Sequence, residues 1–331
     1  MAGEAGFSDV AEPFRRELTV HCYRLLGSIQ DAEDMVQETY LRAWRSYDRF
    51  EARSSVRTWL YQIATNRCLT ELSKRSRRVL PSELGLAEPD PHAALETAAT
   101  STRWLEPIPD GLVIVDSTDP AAVVMGRAGI RLALIASWQH LPPRQRAVLL
   151  LRDVLAVPAA EVAAMLGTST ASVKSALQRA RAQLHELGLA DGQISEPDVP
   201  RARALLDEYI AAFESSDVEA LERLLVEDVT LEATPLRTWF TGRRTCIPFL
   251  RDQLLGPPGT WRLIATAANA QPAAAVYRRD GDSLYRPYGV CVLTVTDAGI
   301  ARITSFGDPG LLAVFGFEPD GATRLIDAPV F

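Results

Sequence analysis

PAAEVAAMLGTSTASVKSALQRARAQLHEL, residues 158–187, carries two helical patterns separated by Gly167-Thr168-Ser169-Thr170. In the first, Ala159 to Leu166, the side chains of Val162, Ala163, Met165 and Leu166 turn toward a core. Gly167 supplies the permissive backbone on which such a helix ends, and Ser169 or Thr170 can cap the next. In the second, Val173, Ala176, Leu177, Ala180 and Leu184 recur at i, i+3, i+4, i+7 and i+11, one apolar stripe. Ser172, Lys174, Ser175, Gln178, Arg179 and Arg181 fall off that stripe and include no carboxylate. A merely solvated helical hairpin would mix both signs of charge on its outer face. A basic, hydrogen-bonding face predicts a helix-turn-helix whose second helix reads DNA.

A chain of 331 residues suggests two or three domains, and 47% apolar residues suffice for real cores. The net charge of −7 argues against a nucleic-acid partner until it is divided along the chain. Residues 81–130 carry 2 Lys and Arg against 8 Asp and Glu, and residues 189–331 carry 13 against 20. Residues 1–80 carry 13 against 11, and residues 131–188 carry 7 against 3. Positive charge therefore gathers where DNA would be touched. Cys22, Cys68, Cys246 and Cys291 lack C-x-x-C spacing and read as buried small hydrophobes, not zinc ligands or disulfides. His21, His92, His140 and His185 form no ligand pattern, so neither a metal nor a cofactor is expected. No apolar run approaches the roughly 20 residues of a membrane span. The N-terminal MAGEAGFSDV is not a signal peptide, and the expected compartment is the cytoplasm.

Residues 8–78 read as a helical domain. Glu12 to Leu26 places Phe14, Leu18, Cys22 and Leu25 on one face, and a second helix runs from about Asp31 to Tyr47. Asp31, Asp34 and Glu38 form an acidic stripe on that helix, with Gln37 beside it. Acids suit a first helical turn, but Glu38 lies two turns in, and an outward stripe of carboxylates is what a basic protein partner grips. After the loop Phe50–Ser55 a helix is expected from Val56 to Arg78, with Leu60, Ile63, Ala64, Leu69 and Leu72 toward a core. Arg57, Trp59, Tyr61, Asn66, Arg67, Lys74, Arg75, Arg77 and Arg78 mix cations, aromatic rings and an amide. Cations track phosphates, and aromatic rings stack on unpaired bases; Trp59 reads equally well as a core residue.

DAEDMVQETYLRAWRSYDRF (31–50) followed by TWLYQIATNRCLTELSKRSRR (58–78) resembles region 2 of the extracytoplasmic-function group of sigma-70 factors. LPPRQRAVLLLRDVLAVPAAEVAAMLGTSTASVKSALQRARAQL (141–184) resembles region 4 of the same group. The resemblance implies that Asp31, Asp34, Gln37 and Glu38 dock on the β′ clamp helices of core RNA polymerase, and that region 4 meets the β flap. It implies that Arg53, Ser54, Trp59, Asn66, Arg67, Lys74 and Arg75 melt and read the −10 element. Ser172, Lys174, Ser175, Gln178, Arg179 and Arg181 would then face the −35 element.

Between the two lies 79–130, rich in proline and acids, with LVIVDS (112–117) its sole strand-like patch. This is expected to be an irregular linker, which the resemblance would thread near the polymerase's RNA exit path. Its Trp104-Leu105-Glu106-Pro107 and Asp110-Gly111 resemble the linker of a subgroup that carries an extra C-terminal domain. Region 4 is expected over 131–188, opening on Leu132, Leu134 and Ile135, with Leu141-Pro142-Pro143 starting the next helix.

A second linker, 189–200, precedes an α+β pattern. Ala202–Glu214, Val218–Leu225 and Arg244–Leu254 read as helices, and VTLEATP, TWRLIATAANAQPAAAVYRR (260–279), YGVCVLTVTDAG and IARITSF as strands, with a hairpin turn at Asp297-Ala298-Gly299. Residues 201–318 resemble the SnoaL-like family of the nuclear transport factor 2-like fold, a cone with an interior pocket. Asp228, Glu232, Arg237, Trp239 and Arg262 are the candidate pocket residues. Catalytic members of that family use an Asp/His or Asp/Arg set. Residues 189–331 contain no histidine, so a ligand or protein contact is expected there and no catalytic residue is assigned.

The expected architecture is thus two all-α domains, the second with a helix-turn-helix, followed by an α+β cone. The expected function is a transcription initiation factor that binds core RNA polymerase and promoter DNA, with an anti-sigma protein or a small ligand of the cone as further partners. A twelve-residue tether, 189–200, averages about 20 Å end to end, which would let the acidic cone regulate the basic helix-turn-helix in cis. Two rivals remain at this level. One is a one-component regulator sensing a ligand in the cone, and the other is a cone-fold enzyme tethered to a DNA-binding module.

Overall fold

Three serine caps start the longest helices of the N-terminal half. Ser28 Oγ accepts the Asp31 amide at the head of α3 (Ile29–Ser46), Ser55 Oγ that of Thr58 at α4 (Val56–Leu72), and Ser169 Oγ that of Ser172 at α8 (Thr170–Glu186). The other helices there are α1 (Ala2–Ala11), α2 (Arg15–Leu26), α5 (Leu132–Gln139), α6 (Pro143–Leu149, running on as a wider turn through Val154) and α7 (Ala159–Met165). These come from a computed structural model that describes residues 2–50, 55–113, 129–187, 197–279, 281 and 284–317. Two units form. One holds the described residues up to Arg78 and from Gly111 to Leu187, and the other holds Val79–Asp110 and those from 197 onward.

In the first unit α2, α3 and α4 bury Leu18, Cys22, Leu25, Ile29, Val36, Leu60, Ala64 and Cys68. The helix expected to reach Arg78 stops at Leu72. No apolar residue follows until Val79, so another turn would bury nothing. His21 lies wholly within this core, its Nε2 2.8 Å from Thr65 Oγ1 and its ring against the Tyr61 ring at 5.0 Å. Burial, with Arg24 and Arg57 adding repulsion, pushes its imidazole down to about 3. A buried arginine joins α6 to the end of α2: Arg146 donates to the carbonyls of Leu25, Gln139 and Leu141 and to Gln139 Oε1. Burial pushes its guanidinium down to about 10.

The second unit packs α9 (Val199–Glu214), α10 (Val218–Leu224) and α11 (Arg243–Phe249, extended by a wider turn to Leu255) on a sheet. Its strands are β1 (Leu225–Thr234), β2 (Trp239–Thr241), β3 (Trp261–Ala268), β4 (Gln271–Arg279), β5 (Tyr285–Thr296) and β6 (Gly299–Phe306). They lie in the order β2-β1-β6-β5-β4-β3, antiparallel except for β1 beside β6. Asp297-Ala298 turns β5 into β6 as expected, pairing Thr296 with Gly299. Asn269 and Ala270, with φ of 56° and 57°, make the β3–β4 turn, the doubly left-handed form that suits the strand twist. Three-residue β2 is too short to show alternation, and the sequence reading missed it. A short helix, α12 (Gly310–Val314), buries Leu311 and Leu312. All four cysteines are buried and free.

The largest departure from expectation is the linker. Residues 79–110 are irregular, as expected, yet they form a strap bound along the C-terminal unit. The Val79 amide donates to Arg103 O and the Leu105 amide to Val79 O, each at 3.0 Å, closing the strap's base. Farther along, the Glu88 amide reaches Trp239 O (2.8 Å), the Arg237 amide reaches Glu96 O (2.8 Å), and the Ala98 amide reaches Pro235 O (3.0 Å). These bonds cover the open edge of β2, where unpaired backbone would otherwise invite another strand. At the strap's end Ile108 and Asn269 are reciprocal: Ile108 N donates to Asn269 Oδ1 at 3.0 Å, and Asn269 N to Ile108 O at 2.9 Å. Leu105 and Ile108 are fully buried, a contribution that periodicity in a proline-rich stretch does not reveal. Of LVIVDS, Leu112 and Val113 lie in a one-turn helix, Asp110–Val113, and the rest falls outside the described residues.

Two outcomes follow from this packing. Asn269→Ala deprives a buried amide of its acceptor, which costs about 1–3 kcal/mol, and limited proteolysis should then cut the 79–110 strap faster than in wild type. For His21, the unfolded chain takes up its proton near pH 6.5 and the folded chain only near 3. Stability present above pH 6.5 is therefore lost as pH falls through that window, by up to about 1.4 kcal/mol per unit. His21→Gln should flatten the fall in denaturant-measured unfolding free energy between pH 6.5 and 5.

Candidate nucleic-acid interface

The helix-turn-helix forms as its residues dictate. After α7, Gly167 takes φ +60° with open space where a Cβ would stand, and the Thr168 amide returns to Ala163 O at 2.9 Å. On α8, Val173, Ala180 and Leu184 are buried, Ala176 and Leu177 half-buried. Ser172, Lys174, Ser175, Gln178, Arg179 and Arg181 are all exposed. Ser172 belongs to the cap, its Oγ 2.9 Å from Ser169 Oγ. Arg179 Nη1 donates to Ser175 Oγ at 2.5 Å, and Arg181 forks onto Asp153 at 2.9 and 2.7 Å. Arg181 must therefore leave a carboxylate before it can touch DNA, whereas Arg179 need only leave a hydroxyl.

On α3 and α4 the two charge sets singled out in the sequence meet each other. Asp31 accepts from Arg75 at 3.0 Å and Arg78 at 2.7 Å. Glu38 accepts from Arg42 at 2.6 Å and lies 3.7 Å from Arg67, and those arginines hold its carboxyl below the usual range. Asp34 and Gln37 are exposed, as is Lys74, which sits 3.9 Å from Glu71. The Glu38 pairs are open enough to solvent to be worth about 0–1 kcal/mol each, so a phosphate or a basic partner can replace them, whereas Arg78 is buried where it meets Asp31.

Trp59 is half-buried, its ring 4.7 Å from Phe50 and 6.5 Å from Tyr47. The sequence reading missed these two partner rings, although both lie just before the loop that carries Arg53. Arg53 and Ser54 themselves fall outside the described residues. Asn66 Nδ2 donates to Gln62 O at 3.0 Å and to Met165 O at 3.1 Å, and Thr58 Oγ1 to Glu161 Oε1 at 3.0 Å. Helix α7 thus sits on the face of α4 that holds Asn66.

The C-terminal unit encloses a cavity of about 130 Å³, and most of the candidate pocket residues lie outside it. Arg237 stands 3.6 Å from Glu96, and Trp239 Nε1 donates to Gly85 O at 3.1 Å, so both secure the strap. Arg262 pairs with Glu214 at 3.4 Å on the exterior, and Asp228 is exposed. Glu232 does reach the cavity wall, 1% exposed, accepting from Arg302 Nη1 (2.7 Å), Thr304 Oγ1 (3.0 Å) and the Ser82 amide (3.0 Å). Arginine and tryptophan suggested a polar site, but both are long enough to work at the outer edge, and the pocket is walled by the apolar residues of the core.

Residues 10–78 match the family model of sigma-70 region 2, and residues 131–184 that of sigma-70 region 4. Over 316 residues the chain is 47% identical to ECF RNA polymerase sigma factor SigG of Mycobacterium tuberculosis strain H37Rv, covering 95% of this chain and 84% of SigG. The chain belongs to the extracytoplasmic-function (ECF) family of RNA polymerase sigma factors. ECF sigma factor SigJ of the same strain is 35% identical over 220 residues, 66% of this chain and 62% of SigJ. The crystal structure of M. tuberculosis SigJ matches with a TM-score of 0.58 at 23% identity, over 92% of this chain and 97% of that one. This sigma factor therefore shares that fold from its helical regions through its mixed α/β unit. Region 2 rules against the one-component regulator, which has no use for a polymerase-docking helix. Among the described residues no helix is long and apolar enough to cross a membrane.

Substitution at Arg179 separates DNA reading from helix packing. Arg179→Ala should weaken binding of this sigma factor to −35 duplex by about 1–3 kcal/mol if it meets a base edge. Lys174→Ala, as a phosphate contact, should lower affinity evenly across sequences and reduce the salt slope by about one. Fluorescence anisotropy over a salt series measures both.

Proposed function

We propose that this sigma factor docks on core RNA polymerase through the Asp31, Asp34, Gln37 and Glu38 face of α3 and carries the enzyme to promoters in the cytoplasm. Trp59, Asn66, Arg67, Lys74 and Arg75, with Arg53 and Ser54, take the −10 element as single strand, and the exposed face of α8 takes the −35 element. Chemistry stays with the polymerase, and the C-terminal unit serves as a binding and regulatory module. The observation that carries this reading is the pairing, within one chain, of an acidic face on α3 with a capped recognition helix whose outer side chains are all solvent-facing.

A further step follows from scale. Elements centred about 25 base pairs apart are separated by about 85 Å at 3.4 Å per pair, whereas a helix of 17 residues is about 25 Å long. With α4 bonded to α7 through Asn66–Met165 and Thr58–Glu161, the two reading helices span far less than that. Regions 2 and 4 part when promoter is bound, and the chain between them, 79–130, takes up the distance. The C-terminal unit holds 79–110 of that connection, so its grip on the strap sets how much chain is free to span. This gives regulation in cis a covalent route that needs no new contact.

Run-off transcription with core polymerase tests the reading. Asp34→Lys with Glu38→Lys should lower polymerase association at least tenfold while circular dichroism and −35 duplex binding stay at wild-type values. Unchanged pull-down of core polymerase at low salt would remove α3 from the interface.

A further inference from the structure

The cavity of the C-terminal unit has no part in promoter reading, and its lining is chemically selective. Phe213, Leu231, Trp261, Leu263, Val276 and Ile303 are among the apolar residues of its wall. Polar atoms enter from Tyr209, Tyr288, Cys291 and Ser305, all able to stay uncharged. Burial drives the Tyr209 and Tyr288 phenols upward and the Cys291 thiol up to about 12. Glu232 is the one carboxylate on the wall, and Arg302, Thr304 and the Ser82 amide already take up its oxygens. A charged ligand would find no counter-charge here and would lose its hydration.

An apolar void of this size lowers stability in proportion to its volume. Water fills such a space only where two to four polar partners converge. The strap also closes the space: Leu95, 40% exposed, stands on the wall beside Leu236 and Thr238. It is held there by the bonds of its neighbour, the Glu96 amide to Thr238 Oγ1 (2.9 Å) and the Arg237 amide to Glu96 O (2.8 Å). Those bonds come from exposed, irregular backbone and can open locally without unfolding the sheet.

We propose that this cavity binds a small, neutral, largely apolar molecule of about one ring carrying a single hydroxyl or carbonyl, and that Leu95 of the strap is its lid. The apolar wall takes the ring, and Tyr209, Tyr288 or Ser305 takes the polar group. Entry and exit require the 95–98 segment to lift from Leu236 and Thr238, so occupancy and strap attachment are linked. The proposal stands independently of the promoter-reading roles above, since it concerns the C-terminal unit alone.

The probe is 4-fluorophenol, with 4-fluorobenzoate and 4-fluorobenzylamine as charged molecules of similar size, followed by fluorine NMR against the full chain. Saturable binding of the phenol, at least tenfold tighter than of either charged molecule, is expected. Ser305→Leu, which fills the cavity at a side chain between Thr304 and Phe306 on β6, should abolish it. Ala233→Leu on β1 is the second filler should the first not fold. Leu95→Ala should speed exchange of the bound phenol at least fivefold with little change in affinity. Bound phenol should also slow hydrogen exchange at the Glu96 and Ala98 amides. Absence of saturable phenol binding, equal binding of the charged molecules, or phenol binding that survives a folded filler variant overturns the site. An exchange rate unchanged by Leu95→Ala overturns the lid.

Discussion

Glu232 is the point on which the C-terminal half turns. Its carboxylate is removed from water at a cost of several kcal/mol, which only close and complete pairing offsets. Arg302 and Thr304 on the neighbouring strand β6 supply two of the donors, and the backbone amide of Ser82 supplies the third. A linker amide thereby completes the solvation of a buried charge in the sheet. Without it the sheet keeps its shape but carries an unsatisfied acceptor, which is why the strap belongs to this unit although the chain delivers it directly after region 2.

The same economy of charge governs the N-terminal half with opposite intent. Asp31 holds a buried Arg78 beside the more open Arg75, whereas Glu38 meets Arg42 and Arg67 where solvent can screen them. Such pairs keep the surface soluble and orient the side chains while remaining exchangeable. A charged partner can displace the solvent-screened ones at small cost. Arg146 is different. Wholly buried and bonded to carbonyls alone among its partners described above, it makes α6 and the end of α2 one body.

Much of the function was legible because it depends on local order. The cap, turn and stripe of 158–187 determine a helix-turn-helix from nearest-neighbour geometry, and its exposed face came out as the residue types required. The α3 stripe and the β5–β6 hairpin were legible for the same reason, since period and turn chemistry act over a few residues, but 260–279 read as one strand where Asn269 and Ala270 turn β3 into β4. Where the reading went astray, the deciding contact was remote in sequence. The helix expected to reach Arg78 ended at Leu72, and its last cations, Arg75 and Arg78, turn instead to Asp31, more than forty residues earlier. Arg237 and Trp239, taken for pocket residues, turned out to grip Glu96 and Gly85, some 140–150 residues away.

The sequence by itself therefore determined the class of protein, most of its helices and strands in order, the exposed face of α8 and the apolar stripes of its helices. Those properties are set by propensity, capping and periodicity, which a chain carries residue by residue. Only the tertiary structure decided that the acidic linker is a strap, that its Ser82 amide meets Glu232 and that the pocket is apolar with Leu95 on its wall. Each of these depends on which distant amide finds a buried acceptor. No local pattern encodes that choice, because an irregular segment satisfies its backbone through whatever surface the fold places beside it.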